Sequence, residues 1–470
     1  MKKSIIKTAA FLLILFTSLY FTDSALRLKS SDGIYSLTKF YEQDENSIDV
    51  LILGSSHAFE NFNTGVLWEE QGIASYVLGG SWQPVWNTYY YLKEALKTQK
   101  PKLIILEAFR LCEEGEYADQ TVTLKNTMGI RDIRGRMEAI KCSAPEGERL
   151  KYVLAYTNYH TRYRNLSRAD FLEYKGDLQY RSWKGFSSNL DTEAFRDPDV
   201  VNDDRKALGE KSEKYYRMIL ELAKEEGIPV LVAVAPYAGM GKGEYSKFNT
   251  AADIAEEYGV SFLNGGALVS DMGIDWESDA GDDSHLNFRG NVKFTSYIGN
   301  YIKTHYDIPD RRGDDRYLSW DENALYIKCR MHDRILSEEV DKAAFFESLQ
   351  TGSYVTYLIA GENTDEMDED TVTCLNDAGI IPNAEGIWIR GTDGVTKCVE
   401  KGKKIFFSDS VNDISAIWND DGMQVYFGRE GMRIDGADMT VMVYDTVTGR
   451  MAAHMGFAFQ GTDNMWMEDE

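Results

Sequence analysis

The stretch Val50-Leu51-Ile52-Leu53-Gly54-Ser55-Ser56-His57 decides the fold. Four branched aliphatic residues run unbroken into a glycine and two serines. A run that is apolar on both faces marks a buried parallel strand, and its abrupt polar end delivers a hydroxyl to the edge of a sheet. An ordinary strand-to-helix turn with a serine helix cap has the same residues. A second stretch, Asp282-Asp283-Ser284-His285-Leu286, bears on the choice. A serine becomes a nucleophile only beside a general base, and that base needs an orienting carboxylate.

Outward from Val50–Leu53 the chain alternates strands and helices. A second short strand is expected at Ala74–Leu78, ending at Gly79-Gly80, then a helix over Pro84–Thr98 and a third strand at Lys102–Glu107. The rhythm breaks at about 111–204, a polar stretch rich in Tyr and Arg that reads as a mostly helical insertion, the kind of segment that often forms a lid or binding loop. It resumes with a helix over Arg205–Glu226, a strand at Ile228–Pro236, a helix at Ala251–Tyr258, a strand at Val260–Leu263 and a closing helix over Asn287–His305. Buried strands alternating with helices imply an α/β class with a parallel sheet between two helical layers. Gly239-Met240-Gly241-Lys242-Gly243 lacks phosphate-loop spacing and reads as a flexible loop.

The polar run 307–316 is expected to be a linker. Beyond it, 317–470 reads as a separate β-rich α+β domain, with strands at Ser353–Ala360, Gly386–Arg390, Lys404–Ser408, Met423–Phe427 and Met439–Tyr444 and helices near Lys342–Leu349 and Asp370–Ala378. The acidic run Asp365–Asp370 is expected to be a solvated loop and helix start.

At the other end, Met1-Lys2-Lys3 precedes an apolar segment that closes before Asp23. From Ser4 to Thr22 it is long enough to cross a bilayer, with a positive flank on one side. The nearest approach to a small-x-small cleavage site is Thr22-Asp23-Ser24-Ala25, a poor match, so residues 1–22 read as an uncleaved signal anchor and 23–46 as a connector. Most of the chain then lies outside the cytoplasm; a cleaved signal peptide, giving a secreted chain, is the alternative.

A net charge of −25 argues against nucleic acid as a partner, because binding phosphate needs clustered Lys and Arg. Five cysteines without a C-x-x-C, and no histidine pair at metal-ligand spacing, indicate neither a metal site nor a cofactor. One disulfide in the last third and buried free thiols are both open readings. Of the six histidines only His285 has an aspartate three residues before it. His57 adjoins the serine in sequence but lacks a carboxylate to orient it. In a doubly wound sheet, loops from the carboxyl ends of the strands share one rim, so Ser56 and His285 are expected to meet there.

Gly54-Ser55-Ser56-His57 after a first strand, a glycine after the second, and Asp282-x-x-His285 near the end of the α/β unit resemble the SGNH/GDSL hydrolase superfamily over roughly residues 46–306. The resemblance implies Ser56 as nucleophile, His285 as base, Asp282 as its orienter, and the Ser56 and Gly79 amides as oxyanion donors. One block departs. Where the superfamily places an asparagine after the third strand, this chain has Glu107-Ala108-Phe109-Arg110. Arg110 is a candidate substitute donor, and Tyr159, His160 and Arg162 in the insertion are candidate substrate contacts. The anchor, the G-S-S motif and the insertion are similar to membrane-anchored members that modify cell-surface polymers, such as the teichoic-acid D-alanyl transfer protein and alginate-type O-acetyltransferases. That subgroup implies a cell-surface glycan as acyl acceptor, a membrane-bound O-acyltransferase as partner, and either O-acyl transfer or ester hydrolysis as the reaction. A non-catalytic surface binding or assembly protein built on the same frame is the rival. The last domain faintly resembles an interleukin-like α/β fold through Gln350–Val355, Asp370–Gly379 and Met439–Gly456.

Overall fold

The computed structural model describes residues 2–26, 32–153, 160–166 and 184–349. Between 353 and 467 it describes all but 361–366, 378–387, 392–395, 410, 420–421, 429, 435–437 and 459–464. The chain divides into two compact units, Met1–Ala324 and Leu325–Glu470.

The first unit is organised on five parallel strands, β1 (Val50–Gly54), β2 (Ser75–Gly79), β3 (Leu103–Glu107), β4 (Val230–Val234) and β5 (Ser261–Asn264), in the order β2-β1-β3-β4-β5. All four pairings are parallel, and Gly54 stands opposite Gly79 at the carboxyl ends of β1 and β2. Side chains alternate between two cores, as the period of a strand requires. Leu51, Leu53, Ile104, Leu106, Val230 and Val232 enter one; Val50, Ile52, Leu103, Ile105, Leu231 and Ala233 enter the other. The first core is closed by Trp86, Tyr91 and Leu92 of the helix Val85–Ala95, by Tyr216 and Ile219 of Glu210–Glu225, and by Phe248 and Ile254 of Lys242–Glu257. The second is closed by Ala58 of Ser56–Asn61, Leu67 of Thr64–Gln71, and Phe294, Ile298 and Ile302 of Phe288–His305. Both faces of β1 are thus sealed, which is why its sequence is uninterrupted aliphatic.

The glycine that ends β1 is required by packing. A Cβ at Gly54 would stand 2.8 Å from the Glu107 Cβ and 2.9 Å from the Ala58 Cβ. Gly54→Ala is therefore expected to cost about 1–3 kcal/mol by overpacking. A thermal melt followed by near-ultraviolet circular dichroism checks this, and an unchanged midpoint would contradict it.

Several elements differ from the sequence reading. The helix expected at Ala251–Tyr258 begins at Lys242, because the Gly241 amide donates to Glu244 Oε2 at 2.9 Å and fixes a helix start inside the glycine-rich loop. Among the described residues of the insertion, helical and irregular segments both occur. Helices Gln120–Lys125, Ile133–Ser143 and Arg149–Val153 precede a long irregular stretch, 184–209. Side chains of the Lys242–Glu257 helix take up carbonyls there: Asn249 Nδ2 donates to Asn202 and Asp204, and Thr250 Oγ1 to Lys206.

Segment 307–316 does not end the first unit. Arg311 is bidentate on Asp49 at 2.7 and 2.9 Å, and its amide donates to the Gly72 carbonyl. Past it, Tyr317 and Trp320 are buried in the first core, and Trp320 Nε1 donates to the Ser75 carbonyl. The division between units falls inside the helix Leu318–Glu338, which the sequence reading did not anticipate.

The second unit is β-rich and antiparallel. One sheet has four strands, β9 (Lys404–Ser408), β10 (Asp413–Asn419), β11 (Gly422–Phe427) and β12 (Glu430–Ile434), in the order β12-β11-β10-β9. The other has six. These are β6 (Tyr354–Ala360), β7 (Trp388–Gly391), β8 (Thr396–Cys398), β13 (Met439–Asp445), β14 (Arg450–Phe457) and β15 (Met465–Met467), in the order β15-β14-β13-β6-β7-β8. Tyr357, Ile359 and Met442 of the larger sheet share a core with Ile414, Val425 and Phe427 of the smaller. Phe345 and Phe346 of the helix Lys342–Ser348 pack with Leu358, Val441 and Met455. Asp368 caps the helix Glu369–Asp377 by accepting from the Thr371 amide at 2.7 Å; residues 365 and 366 of the acidic run lie outside the described residues. Cys112, Cys142, Cys329 and Cys398 are free thiols.

At the N-terminus, Lys2–Leu26 is one helix, and its Ile5–Asp23 segment is long and apolar enough to cross a membrane. Its large apolar side chains, Phe11, Ile14 and Phe16 among them, are exposed.

Candidate active site

The carboxyl end of β1 turns directly into the helix Ser56–Asn61. Ser55 occupies the cap position, with φ −98° and ψ −151°, but its hydroxyl caps nothing and is fully buried. Ser56 is the first helical residue, half-buried, and its Oγ lies 2.9 Å from His285 Nε2. A helix cap therefore does not account for the second serine.

His285 lies in a tight loop closed by an isolated bridge, Ala280–Leu286, just before the Phe288–His305 helix. Its Nδ1 is 3.0 Å from each Asp282 oxygen. Asp282 Oδ1 also accepts from the amides of Ser284, at 2.7 Å, and His285, at 2.8 Å, so one carboxylate shapes the loop and holds the ring. An ionised carboxylate can only accept, so Nδ1 carries the proton, Nε2 is bare, and the Ser56 hydroxyl donates to it.

Burial works against the charge of Asp282, but the hydrogen bonds from His285 and Ser284 outweigh it and hold the carboxyl below its usual range. Burial likewise presses His285 toward its neutral form. The Asp282 hydrogen bond and the nearby carboxyl of Glu60 overcome this and raise its pKa above the ordinary imidazole value.

The structure thus brings together Ser56, Asp282 and His285. Gly79 sits at the matching end of β2, where a Cβ would stand 2.5 Å from the Gly54 carbonyl oxygen. It lines a cavity of about 290 Å³ together with Phe59, Glu60 and Ser81. The Ser56 amide belongs to the first turn of its helix, where N–H groups have no intrahelical acceptor.

The other sequence candidates lie differently. Arg110, in the short turn Phe109–Cys112 after β3, pairs with Glu113 and lies over the Trp82 ring at 5.1 Å. Its charge is already matched, so it is not a free cation for an oxyanion. Arg162 donates to the Leu26 carbonyl at 3.2 Å, at the end of the N-terminal helix. Tyr159 lies outside the described residues, and for His160 the backbone alone is described, in the turn His160–Asn165. His57 is fully buried; its ring stacks on Phe109 at 3.6 Å and stands 5.0 Å from the His285 ring. Burial drives its pKa well down, and neither nitrogen has a hydrogen-bond partner among the described residues. Glu107 stands where the resembling family has its asparagine. It accepts from the Phe109 amide at 3.0 Å, and burial pushes its carboxyl up to about 8.

Four residues of the site were not found from the sequence. Asn189 Nδ2 donates to Asp282 Oδ2 at 3.2 Å, on the side away from the backbone amides. Asn61 accepts from the Leu286 amide and donates to the His57 carbonyl, tying the serine helix to the histidine loop. Glu60 Oε2 is 3.8 Å from His285 Nδ1. Trp82, past the end of β2, is exposed and has φ 55°, a left-handed conformation costly for a bulky residue. Of these Glu60 alone carried a signal, its position one turn after Ser56.

No protein-family model matches this chain, and no curated protein matches it.

Proposed function

We propose that this chain is a serine acyl-ester enzyme of the SGNH type, anchored by its N-terminal helix and acting outside the cytoplasm on a cell-surface glycan. The observation that carries the reading is the contact of Ser56 Oγ with His285 Nε2 at 2.9 Å, with Asp282 on the opposite ring nitrogen. A cap or core role would not require that alignment.

In the first half-reaction Ser56 Oγ attacks the acyl carbonyl carbon while His285 Nε2 takes its proton. The carbonyl π electrons move onto oxygen, which the Ser56 and Gly79 amides receive. Collapse breaks the ester C–O bond, the leaving alkoxide takes the proton from His285, and the acyl group stays on Ser56. In the second half an acceptor hydroxyl gives its proton to His285 and attacks the acyl-serine, whose Oγ recovers a proton as the acyl group departs. Water as acceptor gives hydrolysis; a sugar hydroxyl gives transfer. The anchor and the family resemblance favour transfer, with a membrane-bound O-acyltransferase as the source of the acyl group. Trp82, three residues past Gly79 in sequence, offers an exposed aromatic ring on which a pyranose can stack.

The test is turnover of a small acetyl ester by the full-length chain in detergent micelles, with and without an oligosaccharide acceptor. The reading predicts acetylated saccharide and a rate that rises with acceptor. It also predicts that Trp82→Ala lowers the acceptor-dependent part and spares hydrolysis. A rate indifferent to acceptor would select an esterase. No turnover of any acyl ester would sink the enzyme reading in favour of a binding protein.

A further inference from the structure

Glu60 stands one helical turn past Ser56 on the same short helix, and its side chain is four-fifths buried. Residues four apart share a helix face, so the turn that presents the nucleophile also presents this carboxyl. Its Oε2 is 3.8 Å from His285 Nδ1, the nitrogen that Asp282 already holds at 3.0 Å. The triad needs one carboxylate; the site supplies two.

We propose that Glu60 is a positioning residue for the acyl-transfer reaction, a second carboxyl on the Nδ1 side of His285 that stabilises the imidazolium formed when Ser56 gives up its proton. The proposal rests on reading Ser56, His285 and Asp282 as a catalytic triad.

The surroundings are consistent with that role. Asp282 and Asp283 face His285 from its own loop, and both favour its charged form. Asp282 and Asp32 oppose ionisation of Glu60. Across the cavity Asp32 faces Lys125 at 3.5 Å, and Lys39 pairs with Glu42 at 2.6 Å, so these two cations have partners other than Glu60. The His57 ring, 5.0 Å from that of His285, is kept neutral by burial, and Arg110, which acts on His57, is paired with Glu113. Among the described residues, the cation that Glu60 meets is the one created on His285 during the reaction. Burial, offset in part by His285, pushes the Glu60 carboxyl up to about 7. A charged His285 favours the ionised form of Glu60, and an ionised Glu60 favours a charged His285, so the two groups titrate as a coupled pair.

Glu60→Gln keeps the size and removes the charge. The measurement is the titration of the His285 ring protons by NMR in the full-length chain in micelles, assigned by loss of the signal in His285→Asn. Removing an anion beside an imidazole makes its protonation harder, so the midpoint is expected to fall. A displacement of about half a pH unit leaves about threefold more of the base form on the acid limb. The acid limb of kcat/KM for a small acetyl ester should move to lower pH by the same amount, with a plateau several-fold below that of the unmodified chain. Glu60→Asp should restore part of the plateau. A titration midpoint that stays in place or rises overturns the proposal. Absence of turnover in the unmodified chain, with the ring titration displaced as expected, would overturn the acyl-transfer reading and leave the electrostatic coupling standing.

Discussion

Ser56→Ala is expected to reduce turnover of an acetyl ester by about 10⁴–10⁶-fold, the scale on which removing a nucleophile from a working triad acts. Among the described residues, Ser56 carries the hydroxyl that meets His285 Nε2. Ser55 is adjacent in sequence but fully buried, whereas Ser56 Oγ is the hydroxyl aligned on His285 Nε2. The fold should barely notice the change. The deleted oxygen lies at the half-buried start of a six-residue helix, and its one contact in the site is the His285 ring. Substitutions of that kind usually move stability by less than about 1 kcal/mol. Steady-state kinetics beside a thermal melt separate the two effects. Activity retained within a factor of ten would remove Ser56 from the chemistry.

Asp282→Asn is the second large effect, about 10³–10⁴-fold in kcat at neutral pH. The amide oxygen can still accept from the Ser284 and His285 amides, so the loop should keep its shape. The amide nitrogen can also meet His285 Nδ1, but as a donor, which leaves the ring proton on Nε2 and deprives Ser56 of its acceptor. The pH dependence follows with a definite sign. Asp282 raises the His285 pKa, so its loss lowers it. The residual activity should then have its acid limb at lower pH than that of the unmodified chain. A pH–rate profile checks this, and an acid limb displaced upward would contradict it.

Ser56, Asp282 and His285 could be read from the sequence because their signals are local. A buried parallel strand must be aliphatic on both faces, and a base needs its carboxylate close by, which Asp-x-x-His supplies within one loop. The residues that complete the site act across distances that local composition does not report. Asn189 comes from an irregular stretch with no periodicity, and Glu60 looks like any acid on a helix face. The same limitation moved the expected domain boundary. Residues 307–316 are polar enough to resemble a linker, yet Arg311 is locked on Asp49 of the entry to β1 and Trp320 is sealed in the first core. A pair 262 positions apart leaves no mark on either neighbourhood.

In the second unit β14, Arg-Met-Ala-Ala-His-Met-Gly-Phe, lacks the β-branched residues that signal a strand. It is a strand because β13 and β15 flank it, and six of its eight residues are buried. By contrast β10 carries Ile414 and Ala416 in alternation, both buried, a pattern that was present in the sequence but not recognised.

The most direct measurement of the central claim is covalent labelling of the full-length chain by a fluorophosphonate, followed by intact mass and peptide mapping. The reagent phosphonylates a serine oxygen with loss of fluoride, and it needs the same base as an acyl substrate does. One adduct is expected, on Ser56, formed far more slowly in His285→Ala. An adduct on Ser55, no adduct at all, or equal labelling with and without His285 would contradict it.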